Sequence, residues 1–402
     1  MKTVRDQVTQ VVSADACSGC GVCTILDRGL TMALDDAGYL RPTPTAPVDE
    51  RDGAAERFAR ICPGKQIVAQ RPAGSTRHPL LGSYFAVWEA WAVDPEIRHR
   101  ASSGGALTAL QGWLLETGRA TQVSTAAADP ARPVRTVPIR LMSKAEALAA
   151  AGSRYAPVGV GQLATADASH AMTAKPCEAS AVRAWTNTEG EAPILLSFFC
   201  AGTPSQQATE QLVRDLGGPK PEAVTDLWYR GRGWPGRFTA VSADGEVSTD
   251  YDSSWGRALG PTTQWRCKIC PDGVGESADI AAADSWESDE RGYPTFGERE
   301  GRSALIARTE RGLEIVRAAH AAGVIEVRPL DPEQLAAAQP LQTARRQYLA
   351  ARLWGARLGG RSVPRYRGFR LLKLSAEHPR LAVRALRGTL LRLRAARRKD
   401  DA

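Results

Sequence analysis

Along the chain, hydrophobic stretches switch between strand-like and helix-like patterns. "YFAVWEAWAV" (84–93) has the aromatic and β-branched content of a strand. "SSGGALTALQGWLLETG" (102–118) predicts a helix with serine at its start and glycine at its end. "SKAEALAAAG" predicts another helix. "AMTAKPCEASAVRAW" reads as strand, tight turn and helix, and "PILLSFFCAGTPSQQATEQLVRDLG" repeats that order. Strands alternating with helices predict an α/β core with a largely parallel sheet. Residues 225–265 are strand-rich in pattern, and a basic helix pair is expected after residue 303. The expected class is therefore α/β (α+β): a mixed sheet core, a turn-rich N-terminal segment and a C-terminal helical tail. Cys177 and Cys200 fall at the carboxyl ends of two such strands, where open α/β sheets place their chemistry.

Composition narrows the function. A chain of 402 residues with 43% hydrophobic and 24% charged residues is that of an ordinary soluble protein. No secretory h-region precedes the first cysteines, and the longest apolar run, "APILLSFFCAG", is about half of a membrane span. A cytoplasmic location is expected, where eight cysteines serve as ligands more readily than as disulfides.

The net charge of +8 is unevenly spread. Residues 361–399 hold 13 Lys and Arg against one acid, Glu377, which is +12 and leaves −4 for the rest. Within this tail, Val383, Leu386, Leu390 and Leu393 follow helical spacing among arginines. Such a basic amphipathic helix suits an anionic membrane surface or a partner, or packs its leucines on the body. Nucleic-acid binding is not expected, because no aromatics interleave with the arginines.

The cysteines form two groups. Cys17, Cys20 and Cys23 have the spacing C-x2-C-x2-C, and Cys62-Pro63 follows 38 residues later. Three thiolates on a tight loop and a distant cysteine before proline suit a [4Fe–4S] cluster. A structural zinc site is the alternative, although zinc more often takes paired knuckles. Gly19 and Gly21 allow the positive φ angles of such a loop. The remaining four are Cys177, Cys200, Cys267 and Cys270. They read either as a second cluster or as small core residues.

In order and spacing, "CSGCGVC", "CPGK", "ASSGGALTAL", "AGSRYAPV", "KPCEASAVR", "FFCAGTPS", "RGRGWPG" and "WRCKICPDGVGESADIAAADSW" resemble the coenzyme F420 hydrogenase/dehydrogenase β-subunit family, which includes the 7-hydroxymethyl chlorophyll a reductases. The resemblance spans about residues 17–310. It implies an FAD- and [4Fe–4S]-dependent oxidoreductase with one or two clusters. Electrons would pass between a hydride carrier, often the deazaflavin coenzyme F420, or an organic small-molecule substrate, and a one-electron partner such as ferredoxin. By motif position, Cys17, Cys20, Cys23 and Cys62 would hold the distal cluster. Cys177, Cys200, Cys267 and Cys270 would hold one near the flavin. The implied organisation is a ferredoxin-like segment (1–75), a flavin-binding α/β region (82–150), an FAD and iron–sulfur domain (151–330) and a basic helical tail (331–402). "AKPCE", "CAGTPS" and "AAADSW" depart from the family's common residues around the cofactors, which bears on the deazaflavin partner more than on the fold.

Within this pattern, Ser102, Ser103, Gly104 and Gly105 are expected to cradle a flavin diphosphate at a helix N-terminus, although serine there also serves as a plain N-cap. Arg154 and Arg232 could pair with phosphate, and Tyr155 and Trp234 could stack on flat rings; solvated arginines and packed core aromatics are the alternative. Asp284 and Trp286 could face the flavin or cap a turn. His99, near the proposed phosphate loop, could contact cofactor but reads more readily as an exposed loop histidine. No Ser/His/Asp arrangement points to hydrolysis, so no catalytic residue is assigned. The rival to a self-contained enzyme is an electron-transfer subunit of a larger redox complex.

Overall fold

The computed structural model describes residues 2–285 and 300–400. Its centre is an eight-stranded sheet of β1 (Ala86–Ala92), β2 (Gln122–Asp129), β3 (Arg132–Leu141), β4 (His170–Ala174), β5 (Ile194–Phe198), β6 (Ile280–Asp284), β7 (Ser303–Ala307) and β8 (Ile325–Pro329), in the order β8-β1-β7-β6-β5-β4-β2-β3. The run β2, β4, β5, β6 is parallel. β3 pairs antiparallel at one side, and β7, β1 and β8 do so at the other. The largely parallel sheet expected from the strand–helix alternation is thus a parallel centre with antiparallel flanks. Strands from both sides of residue 150 share this one sheet.

The central strands read as continuous apolar runs because both faces are covered. β7, "SALIA", is buried along its length between β6 and β1. This corrects the helix pair expected after residue 303: a strand comes first and helix Glu310–Ala321 follows. On one face, helix Ala106–Glu116 sets fully buried Leu110 and Leu114 against Val123, Leu196 and Leu305. On the other, helix Pro176–Glu189 and the N-terminal segment pack Val8, Val11, Phe58 and Val182 against Met172 and Leu195. The N-terminal cysteine segment is therefore docked directly on the sheet.

That segment begins with helix Val4–Ser13, capped by the reciprocal Thr3–Asp6 hydrogen bonds, and continues through a hairpin to helix Ala54–Ile61. A three-stranded antiparallel sheet, residues 226–249, carries its own small core around Tyr229 and Phe238. Residues 331–402 are more than an appended tail. Arg365–Arg367 pairs with Gln66–Val68 in the N-terminal segment, and helix Pro340–Leu358 buries Leu349 and Leu353 beneath the second cysteine group. The final helix, Pro379–Asp400, packs on it through Thr389 and Leu393. Val383, placed with the buried leucines by spacing, is exposed with Leu391 instead.

Candidate functional site

Cys17, Cys20 and Cys23 lie on the loop entering the short helix Cys23–Leu26, and Cys62 ends helix Ala54–Ile61. The loop winds through Gly19 and Gly21, at φ +70° and +84°. A Cβ at Gly19 would sit 2.8 Å from the Leu40 carbonyl, so glycine is required there for conformation and for space. The four cysteines line one cavity with apolar Val8, Val11, Phe58, Ile61 and Pro63. Burial pushes the Cys20 thiol up to about 11. It raises Cys17, Cys23 and Cys62 as well, with neighbouring thiols adding to the shift of the last two. Four thiolates in such surroundings need a multivalent cation to neutralise them, and the donor set fits an iron–sulfur cluster.

The second group forms at the carboxyl ends of the parallel strands. β4 runs through Lys175-Pro176 into Cys177, and β5 runs through Phe199 into Cys200. The registers Ala174↔Ser197 and Phe198↔Ala282 bring Cys177, Cys200 and Asp284 to the same level across β4, β5 and β6. The Cys200 carbonyl accepts from Gln342 Nε2 of helix Pro340–Leu358 at 3.1 Å, and the Cys200 N–H donates to Gly273 O at 2.8 Å. Gly202 lies so close to Cys267 that a Cβ would be 3.1 Å from the cysteine's own. Thr203 N–H donates to Cys267 Sγ at 3.3 Å. Burial, then the Cys267 thiol, pushes Cys200 up to about 12. Burial also raises Cys177, which stands in electrostatic reach of both Cys200 and Cys20. The two cysteine groups are neighbours. Here too an all-thiol donor set, with Cys270 buried and the other three half-buried, fits a cluster.

Beyond Asp284, three loops expected to matter meet. Gly233 N–H donates to His99 O, and Ser153 N–H to Ser102 Oγ. A Cβ at Gly231 would lie 2.5 Å from Arg100 O. "SSGG", "GSRY" and "RGRGWPG" are thus one locale, although more than 120 residues separate the first from the last.

The chain matches two family profiles at this scale. Residues 87–164 match "Coenzyme F420 hydrogenase/dehydrogenase, beta subunit N-term", and residues 167–333 match the C-terminal counterpart. The chain belongs to the coenzyme F420 hydrogenase/dehydrogenase β-subunit family. The coenzyme F420 hydrogenase subunit beta of Methanosarcina barkeri is 26% identical over 271 residues, covering 63% of this chain and 84% of the relative. The F420-dependent formate dehydrogenase 1 subunit beta of Methanococcus maripaludis is 26% identical over 259 residues, covering 61% of this chain and 62% of the relative. A chain of the F420-reducing [NiFe] hydrogenase complex from Methanosarcina barkeri, solved as a xenon derivative, shares the fold with a TM-score of 0.53 at 23% identity, covering 70% of this chain and 97% of that one. The first cysteine group precedes both profile matches.

In this β-subunit family member, the expected flavin residues divide by what they touch. Ser103 Oγ donates to Arg302 O, Ser102 Oγ is taken by Ser153, and the helix begins three residues later, at Ala106, with Gly105 at its cap. A Cβ at Gly104 would be 2.5 Å from Ala90 O and 2.7 Å from Ser303 N, so this glycine seats the loop between β1 and β7. Arg154 is half-buried and donates to Thr136 Oγ1 and to the carbonyls of Leu227, Pro133 and Arg135, which leaves phosphate pairing without support. Tyr155 joins an aromatic group with Tyr229, Tyr251 and Trp255. Arg232, at φ +57°, lies 3.5 Å over the Trp228 ring and pairs with Asp226. Trp286 lies outside the described residues, and His99 is exposed as expected but sits in helix Pro95–Arg100 rather than in a loop.

Two residues passed over by sequence reasoning stand at the centre. Arg230 is buried, donates to Asp284 Oδ2 at 2.7 Å, and packs its guanidinium against Trp234 and Tyr251. Burial opposes its charge, yet Asp284 and the two tyrosines nearby hold its pKa above the ordinary value. Lys175 is buried against Glu178 at 2.6 Å, beside Cys177. The signal for both was adjacency to a glycine or cysteine motif, which carries no sign of a partner distant in sequence.

Proposed function

We propose that the chain is a cytoplasmic iron–sulfur flavoprotein oxidoreductase holding two [4Fe–4S] clusters and FAD. It moves electrons between a hydride carrier, coenzyme F420 or an organic substrate, and a one-electron partner of the ferredoxin kind. The observation that carries this reading is the line of sites along the carboxyl edge of the sheet. Cys20 neighbours Cys177, and Cys177, Cys200 and Asp284 then follow on three adjacent strands. At about 4.8 Å per strand, the last three span roughly 10 Å. When bound, flavin exchanges a hydride with a substrate and single electrons with a cluster.

The chain's own residues supply position and burial. Cys17, Cys20, Cys23 and Cys62 would hold one cluster, and Cys177, Cys200, Cys267 and Cys270 the other. Arg230 fixes Asp284, while Trp234 and Tyr155 offer apolar walls beside Arg232 for the flavin. The exposed face of the final helix, with Val383 and Leu391 among Arg380, Arg384 and Arg387, suits peripheral contact with an anionic membrane surface. Among the described residues, no helix is long and apolar enough to cross a membrane. A second reading, an electron-transfer subunit that relays only within a complex, is favoured by the relatives' own designation as subunits.

Anaerobic protein reconstituted with iron and sulfide should hold about eight iron and one flavin per chain, and C20S and C177S about four iron each. Colourless protein that binds only zinc, with all eight thiols open to alkylation, refutes the proposal. Turnover by the isolated chain with reduced ferredoxin separates the enzyme from the relay subunit.

A further inference from the structure

Arg266 lies in the short helix Trp265–Lys268, immediately before Cys267, and is 1% exposed. Its Nη2 reaches across to the first cysteine group and donates to Pro63 O at 2.9 Å, next to Cys62. Its guanidinium stands in electrostatic reach of Cys17 on one side and of Cys177, Cys267 and Cys270 on the other. The Tyr366 ring lies 5.7 Å from it, and the Tyr366 hydroxyl donates to Ile269 O, fixing the ring against the second loop.

Two other cations near the cysteines have carboxylate partners. Lys175 pairs with Glu178, and Arg41 pairs with Asp35 at 3.2 Å. Among the described residues, Arg266 has no carboxylate partner, and its Nε, buried, has no hydrogen-bond partner. A buried cation without a carboxylate is costly unless other negative charge faces it. The negative charge on hand is that of the two thiolate sets.

We propose that Arg266 is a fixed countercharge shared by the two cysteine centres, positioned between them to raise the reduction potentials of both together. The proposal rests on the two-cluster reading above. An arginine keeps its charge at every working pH, so its contribution is constant as electrons pass. Its position makes the two potentials move as a pair. Arg345, by contrast, donates only to the Cys200 and Ala201 carbonyls and serves one centre.

The test is a potentiometric titration, followed by electron paramagnetic resonance, of the reconstituted full chain. R266Q and R266M, two neutral shapes in case one does not fold, should lower both midpoints. The reduced-to-oxidised ratio at a fixed potential should fall at least tenfold at each centre, which is about 59 mV for a one-electron couple. R266K should restore both to within about threefold, and R345Q should move the second centre alone. Loss of both clusters from the neutral variants with retention in R266K also supports the assignment. Unmoved potentials, a shift at one centre only, or R266K behaving like R266Q overturns it. Iron and sulfide are counted in the same samples. Eight iron with unmoved potentials sinks the role of Arg266 alone, whereas wild-type chain without two clusters sinks the underlying reading and this role with it.

Discussion

Asp279 precedes β6 and accepts three hydrogen bonds, from Leu195 N–H at 2.8 Å, Thr309 Oγ1 at 2.7 Å and Arg311 Nη2 at 2.6 Å, and it forms an ion pair with Arg183 Nη2 at 3.1 Å. It ties β5, β6 and two helices at the end of the sheet opposite the cysteines. Asp279→Asn keeps the shape and removes the charge. Breaking a buried ion pair costs about 3–5 kcal/mol; Arg311 is a third exposed, so solvent reduces the expected loss to about 2–4 kcal/mol. In urea, the midpoint should fall by about 1 M for a chain of this size. Burial alone would raise the Asp279 pKa, but Arg183 and Arg311 overcome it and hold the carboxyl below its ordinary value. A depressed carboxylate stabilises fully above its unfolded pKa, about 3.9, and loses that contribution only as pH falls through the lower folded value. The gap between wild type and D279N should therefore be constant from pH 8 to pH 5. A midpoint change under about 0.2 M, or a gap that already narrows between pH 7 and 5, refutes the reasoning.

Gly104→Ala should destabilise by about 1–3 kcal/mol, because its methyl would press on Ala90 O and Ser303 N at the junction of β1 and β7. Unchanged thermal stability with selective loss of flavin would instead restore a cofactor-facing role for this glycine. Replacing Arg380, Arg384 and Arg387 with glutamate should abolish partitioning onto phosphatidylserine vesicles, at about 1 kcal/mol per charge lost, with no change in iron content. Equal partitioning before and after the change removes the membrane contact.

Much of the candidate site was legible because its chemistry is carried by local spacing. Cys17, Cys20 and Cys23 share one short loop by their spacing alone, and the placement of Cys177 and Cys200 after strands follows from the strand–turn–helix repeats around them. The serine-glycine stretch cannot be read from local spacing, for a physical reason. Gly104 is a glycine because of Ala90 and Ser303, the latter about 200 residues away, and no window of sequence shows that neighbour. The strand at 303–307 is missing from the expected helix pair after residue 303, because a short apolar run has the same composition in either state. Pairing with β6 and β1 made it a strand.

By itself, the sequence determined the two cysteine groups, the βα repeats and the glycines that let a loop turn back on itself, since these depend on residues a few positions apart. Tertiary structure alone decided that both cysteine sets meet, that Arg266 stands between them, and that helix Pro340–Leu358 supports Cys200. Those contacts join residues from about 140 to 200 positions apart, and such pairings are chosen by the packing of the whole sheet against its layers rather than by any local preference.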